Sequence, residues 1–156
     1  MLSDGNADIA IMPEYNTHSL SGLIVSTPFA TQPLYFISRD MDELPPPEAL
    51  SSVTQLAAAM GEGSEAEARR RVKMFCAELG LAPKQVEILP SVRSTFSQLL
   101  CGGCYTIAPV ERREWGLRFL PLPGAGARLV FVTPQGRISP WVSLFESFIR
   151  QRRLAP

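Results

Sequence analysis

The chain has 156 residues, 15 basic and 15 acidic side chains and one histidine, so its formal net charge is zero. An apolar fraction of 46% with 19% charged residues suits one folded domain or two small lobes. The charge balance speaks against nucleic-acid binding by the chain as a whole, no run is long enough for a membrane span, and the acidic start "MLSDGNADIAIM" lacks the basic region of a secretory signal.

In chain order, "ADIAIM" (7–12) reads as a buried strand, and "PEYNTHSLSG" as a polar loop. Two strands are expected at Leu23–Ser26 and Leu34–Ser38. Neither helix nor sheet can run through Pro45-Pro46-Pro47, which makes "MDELPPPEALSS" the expected linker between lobes. Ser64 with Glu67 forms a capping box that starts a helix. Its apolar stripe is Ala68, Val72, Phe75, Cys76 and Leu79, and Gly80 and Pro83 stop it.

"QVEIL" (85–89) follows as a strand, a second helix starts near Ser94, and "CYTIAPV" is the next strand. "LRFLPL" and "ARLVFVTP" read as two strands separated by Gly124-Ala-Gly126. Ser139-Pro140 opens a last helix, with Trp141, Leu144, Phe145 and Phe148 as its buried stripe. Strands alternating with helices imply an α/β fold with a largely parallel sheet.

The pair Cys101-Gly-Gly-Cys104 poses a chemical question. A redox CxxC places its thiol at a helix N-terminus, where the dipole favours thiolate. Here a helix runs into Cys101, so both sulfurs lie at the opposite end and thiolate is disfavoured. Zinc would need four ligands, and only Cys76 and His18 remain to supply them. The glycines fit a helix C-cap, and the one histidine lies in a polar loop. With three cysteines and no export signal, the cytoplasm is the expected compartment. No Ser-His-Asp arrangement or paired-carboxylate signature is present.

Two helix starts could meet a ligand. "GEGS" (61–64) carries three nearby glutamates, Glu62, Glu65 and Glu67, that would repel a phosphate. "SVRST" (91–95) is a strand-to-helix junction with three hydroxyls, and in open α/β folds ligands sit beyond the carboxyl ends of strands.

Four stretches in order carry a family resemblance. "LSDGNADIAIM", "GLIVSTPFATQPLYFIS", "SVRSTFSQLLCGGCYTIAPV" and the tail from "LRFLPL" to "FIRQ" resemble the effector-binding domain of LysR-type transcriptional regulators. Ser91, Gly102, Gly103, Tyr105, Thr106 and Pro109 stand in matching places. The resemblance implies a two-lobe periplasmic-binding-protein-like (type 2) α/β fold with the first lobe incomplete. The expected lobes are 1–44 and 113–156 for the first and 45–112 for the second. It also implies a small polar or anionic effector, no catalysis, no cofactor and no metal. Homo-oligomers would form through this domain, and DNA would be reached only through a winged helix-turn-helix absent from these residues, with no membrane partner. Ser91, Ser94 and Thr95 are the expected hydrogen-bond donors to the ligand. Glu14 and Tyr15 would face them, with Gly61, Gly63 and Ser64 at the rim. The rival expectations are a small α/β hydrolase or transferase, and a fragment without independent function.

Overall fold

The computed structural model describes residues 2, 7–17, 21–59, 64–109, 116–136 and 139–153. His18, Gly61 and Gly63 lie outside these. The chain divides into two compact units, residues 1–32 with 127–156, and residues 33–126.

In the larger unit the strands are the main part of β3 (Ala30–Ser38), then β4 (Thr54–Ala58), β5 (Val86–Leu89), β6 (Cys104–Ala108) and the first part of β7 (Arg118–Pro134). β4 pairs in parallel with β5 on one side and β6 on the other, while β3 runs antiparallel to β6. The sheet is therefore mixed, and the expected parallel arrangement is confined to β6, β4 and β5. Only these strands are joined by helical crossovers, which parallel pairing requires. The crossovers are α2 (Glu65–Glu78), which packs on β5, and α3 (Val92–Leu99), which packs on β4, β5 and β6.

The core of this unit is a cluster of Ile37, Leu56, Phe96, Leu99, Cys104 and Leu117, all buried. A second buried layer is polar at its centre. Gln55 accepts hydrogen bonds at Oε1 from the Cys76 thiol (3.0 Å) and the Tyr105 hydroxyl (3.3 Å). These bonds tie α2, β4 and β6 together, and burial pushes both the Cys76 thiol and the Tyr105 phenol up, so both stay protonated.

Several sequence expectations are corrected here. "TQLAA" is strand β4, which no local pattern marks; its apolar signal is two alanines and one leucine, too weak to show a period. The proline stretch holds a one-turn helix, α1 (Pro47–Leu50), because Pro47 occupies the first helical position, where a missing N–H costs nothing. α3 begins at Val92 rather than near Ser94, because Ser91 rather than a later residue is the N-cap. β7 is one strand instead of two: Gly124, at φ +72°, bends it without ending it.

The smaller unit holds β1 (Ala10–Pro13), a single 3-10 turn (Glu14–Asn16), β2 (Leu23–Val25), the end of β7 and α4 (Pro140–Arg153). β1 and β2 both pair antiparallel with β7. Val130, Phe131 and Val132 are its buried centre, with Phe29 stacked on Phe131 at 4.1 Å. The strand expected at 7–12 starts three residues late and is not buried; Ile11 is 46% exposed. The stripe expected to bury α4 is also corrected. Trp141, Leu144, Phe145 and Phe148 are 77%, 66%, 39% and 50% exposed, and α4 buries Val142 instead. Periodicity identifies an apolar face but not whether a neighbour exists to cover it.

Candidate functional site

The parallel block β6-β4-β5 brings three carboxyl ends to one edge. Ala58 stands opposite Leu89, and the Ala59 N–H donates to the Leu89 carbonyl at 2.6 Å. From this edge β4 leads toward α2 and β5 leads into α3. Ser64 and Ser91, the two N-caps, thus both follow the ends of adjacent parallel strands.

The two helix starts differ in charge. At α2, Glu67 folds back: its carboxylate accepts from the Ser64 N–H (2.7 Å), and the Ser64 Oγ accepts from the Glu67 N–H (3.3 Å). The backbone N–H of Ser64, more than any other partner, holds the Glu67 carboxyl below its ordinary range. Glu65 is also in the first turn, where it pairs with Arg69. The positive end of this helix is therefore filled by its own anions.

At α3 the same box is built from neutral groups. The Ser91 Oγ accepts from the Ser94 N–H (3.1 Å), and the Ser94 Oγ accepts from the Ser91 N–H (3.0 Å). The Ser94 hydroxyl donates to the Ser91 carbonyl (2.8 Å), and so does the Thr95 hydroxyl (3.0 Å). No acid lies in this first turn. The N–H groups of Val92 and Arg93 have no carbonyl to reach within the helix, as at every helix start. Three elements meet there: exposed amide donors, an uncompensated helix dipole and the exposed Arg93.

Ser91 is exposed, Ser94 half-buried and Thr95 buried. A hydroxyl carries a single proton. Those of Ser94 and Thr95 are committed to the Ser91 carbonyl, so the Ser91 hydroxyl is the donor in its own 3.1 Å contact with the Ser94 Oγ, and all three protons are engaged within the turn. Thr95 fixes the turn rather than facing solvent. The sequence pattern marked these hydroxyls but not the Val92 and Arg93 amides beside them, although a strand followed by Ser-x-x-Ser implies both.

Glu14 and Tyr15 come together in the smaller unit, in the turn after β1. Pro13 stands opposite Leu129, so Glu14 falls beside Arg128, and its Oε2 accepts from the Arg128 Nη2 at 2.6 Å. Arg128 was not singled out in the sequence; the antiparallel register alone brings it there. Burial pushes the Tyr15 phenol up to about 12, so it remains a neutral hydroxyl.

At its other end α3 is fixed by two glycines. Gly102 and Gly103 have φ of +84° and +72°, and the Gly103 N–H donates to Asp40 Oδ2 at 2.7 Å. The Arg39 guanidinium donates to the Leu100 carbonyl at 2.6 Å. This confirms the C-cap reading of Cys101-Gly-Gly-Cys104. All three cysteines are free; Cys101 is exposed and Cys104 buried. The Cys104 thiol is pushed up, first by burial and then by the charge of Asp40, so desolvation rather than the helix end is the main cause.

No protein-family model and no curated protein matches the sequence. Solved structures do match by shape. Full-length CbnR in complex with its target DNA aligns over 96% of this chain and 54% of its own, with a TM-score of 0.66 and 14% identity. The BenM effector-binding domain with benzoate aligns over 96% of this chain and 71% of its own (TM-score 0.63, 13% identity). The effector-binding domain of QuiR with shikimate aligns over 97% and 74% (TM-score 0.66, 13% identity). The chain thus spans about half the length of the full-length regulator and about three-quarters of the separate effector domains. CbnR is a LysR family transcriptional regulator, and the fold of the present chain is that of the effector-binding domain of LysR-type regulators, a mixed α/β, periplasmic-binding-protein-like (type 2) fold.

Proposed function

We propose that this chain is the effector-sensing part of a LysR-type transcriptional regulator and binds a small polar or anionic molecule at the start of α3. The observation that carries the proposal is the contrast between two helix starts at one sheet edge. α2 neutralises its own terminus with Glu65 and Glu67, whereas α3 caps its first turn with neutral serines and leaves the Val92 and Arg93 amides without an acid. A carboxylate fits this donor set: the N–H groups of Val92 and Arg93, the exposed Arg93 side chain in the same turn, and the Ser91 hydroxyl once it exchanges its contact with Ser94 for the ligand. Ser94 and Thr95 hold the turn that presents them.

In this reading the chain is not an enzyme. The α3 groups orient and do not react: none is a nucleophile paired with a base. The signal is a population shift, in which the effector binds one arrangement better and biases a homo-oligomer. The oligomer acts on DNA through a separate DNA-binding module, in the cytoplasm. Benzoate with BenM and shikimate with QuiR are both carboxylate ligands, which makes cyclic carboxylates the first compounds to try.

The test is thermal denaturation against a panel of small carboxylates that includes benzoate and shikimate. A ligand at 100 times its dissociation constant adds about 2.7 kcal/mol, or roughly 5–10 °C in Tm for a chain of this size. The expected result is a saturable rise with at least one carboxylate, weakened by Ser91→Ala. No rise with any of them, or a rise that Ser91→Ala leaves unchanged, would count against the site.

A further inference from the structure

We propose that Cys101 and Cys104 are a thiol pair that closes to a disulfide, tying the end of α3 to the first residue of β6 when the surroundings turn oxidising. The proposal goes beyond effector binding and does not depend on it.

The backbone sets the reach. Leu100 caps α3 and β6 begins at Cys104, so the pair spans the turn between them. Gly102 and Gly103 both have positive φ, +84° and +72°, the pattern of a type I′ turn. Such a turn holds its first and fourth Cα atoms within about 7 Å, the separation that a disulfide spans. The sulfurs also lie against one place. The Cys101 thiol donates to the Ser97 carbonyl and the Cys104 thiol to the Gln98 carbonyl, each at 3.7 Å. Those carbonyls are neighbours on the last turn of α3. A Cβ built at Gly103 would meet nothing within 4 Å, so the turn has room to tighten.

Exposure sets the order of events. Cys101 is exposed, whereas Cys104 is only 6% exposed. Cys101 therefore meets the oxidant, a low-molecular-weight disulfide RSSR, and Cys104 resolves the product. The Cys101 Sγ loses its proton and attacks one sulfur of RSSR, and RS⁻ leaves and takes up that proton. Cys104 then gives up its proton and attacks the Cys101 Sγ in the mixed disulfide, and the second RS⁻ leaves as RSH. The pair loses two electrons and two protons, and RSSR gains both as two RSH. Cys76 takes no part, being fully buried with its thiol on Gln55.

The electrostatics that make this pair a poor catalyst make its disulfide a lasting bond. A catalytic CxxC stabilises its reduced thiolate at a helix N-terminus, so its disulfide is readily reduced. Here the reduced pair sits at the negative end of α3, and burial, then the Asp40 carboxylate, push the Cys104 thiol up. Nothing favours the thiolate, whereas a disulfide carries no charge for these groups to oppose. Closure is slow because little thiolate is present, and reversal by thiols is unfavourable. In a reducing compartment a pair of this kind reports oxidation rather than building the fold.

The experiment equilibrates the full chain in mixtures of reduced and oxidised glutathione, quenches with acid, alkylates in urea and counts alkyl groups by mass spectrometry. Trypsin leaves Cys101 and Cys104 together on the peptide 94–112 and Cys76 on another. The expected result is peptide 94–112 without alkyl groups. Its disulfide equilibrium constant should exceed that of the same pair in the urea-unfolded chain about 10-fold or more. Cys104→Ser should stop at the glutathione adduct on Cys101, and Cys101→Ser should leave residue 104 unmodified. If circular dichroism shows that Cys104→Ser does not fold, the comparison of folded with unfolded wild type decides alone. A folded pair no more oxidised than the unfolded pair overturns the proposal, and so does a glutathione adduct on Cys101 that never gives way to the disulfide.

Discussion

Replacing Gly102 with alanine tests how firmly α3 is held at the end opposite its proposed site. Gly102 has φ +84°, a region where an alanine is strained by about 1–2 kcal/mol. A Cβ there would also lie 2.6 Å from Asp40 Oδ2, so the carboxylate must move. That oxygen accepts the Gly103 N–H at 2.7 Å. Losing this exposed, charge-assisted bond adds about 1 kcal/mol, at the low end for its kind because water can replace it. Gly102→Ala should therefore cost about 2–3 kcal/mol, lowering the urea midpoint by roughly 1–2 M. A double-mutant cycle separates the two parts. Once Asp40→Ala has removed the carboxylate, Gly102→Ala should cost only the backbone part, about 1–2 kcal/mol. A change within about 0.5 kcal/mol for Gly102→Ala, or fully additive costs in the double variant, would refute the reasoning.

Leu99, fully buried in the α3 core cluster, should cost about 2–5 kcal/mol when cut to alanine, measured by urea unfolding. Ser91→Ala removes one half of a capping box and should cost about 1 kcal/mol with the fold intact by circular dichroism. The Glu67 carboxyl is held low in the folded state. Its stabilisation is therefore present above the unfolded-state pKa and lost as pH falls through the lower folded value, so Glu67→Gln should flatten the acid limb of a stability-versus-pH curve. Among the cysteines, iodoacetamide at neutral pH should reach the exposed Cys101 first and leave Cys76 and Cys104 until the chain is unfolded, as mass spectrometry would count.

Local chemistry made much of the larger unit legible in advance. Ser64 and Glu67 announce α2 because a capping box is a short-range device, and the paired glycines announce the end of α3 because only a positive φ allows that turn. What stayed hidden depends on partners distant in sequence. Strand β4 is held by β5 and β6 on either side, which its own "TQLAA" does not record. The Glu14–Arg128 pair exists only through the β1–β7 register. The α4 stripe has the right period for a buried face, but period alone does not supply a neighbour. At the candidate site the hydroxyls of Ser91, Ser94 and Thr95 were visible, while the hydrogen bonds that engage all three within the turn required the geometry.

The most direct test of an effector site at the start of α3 is an amide NMR titration of the chain with benzoate and shikimate. The predicted result is saturable shifts largest at the Val92 and Arg93 N–H groups, with smaller changes at Ser91 and Ser94. Shifts that are absent for both compounds, or that concentrate at the start of α2 or elsewhere while 91–95 stay unmoved, would contradict it.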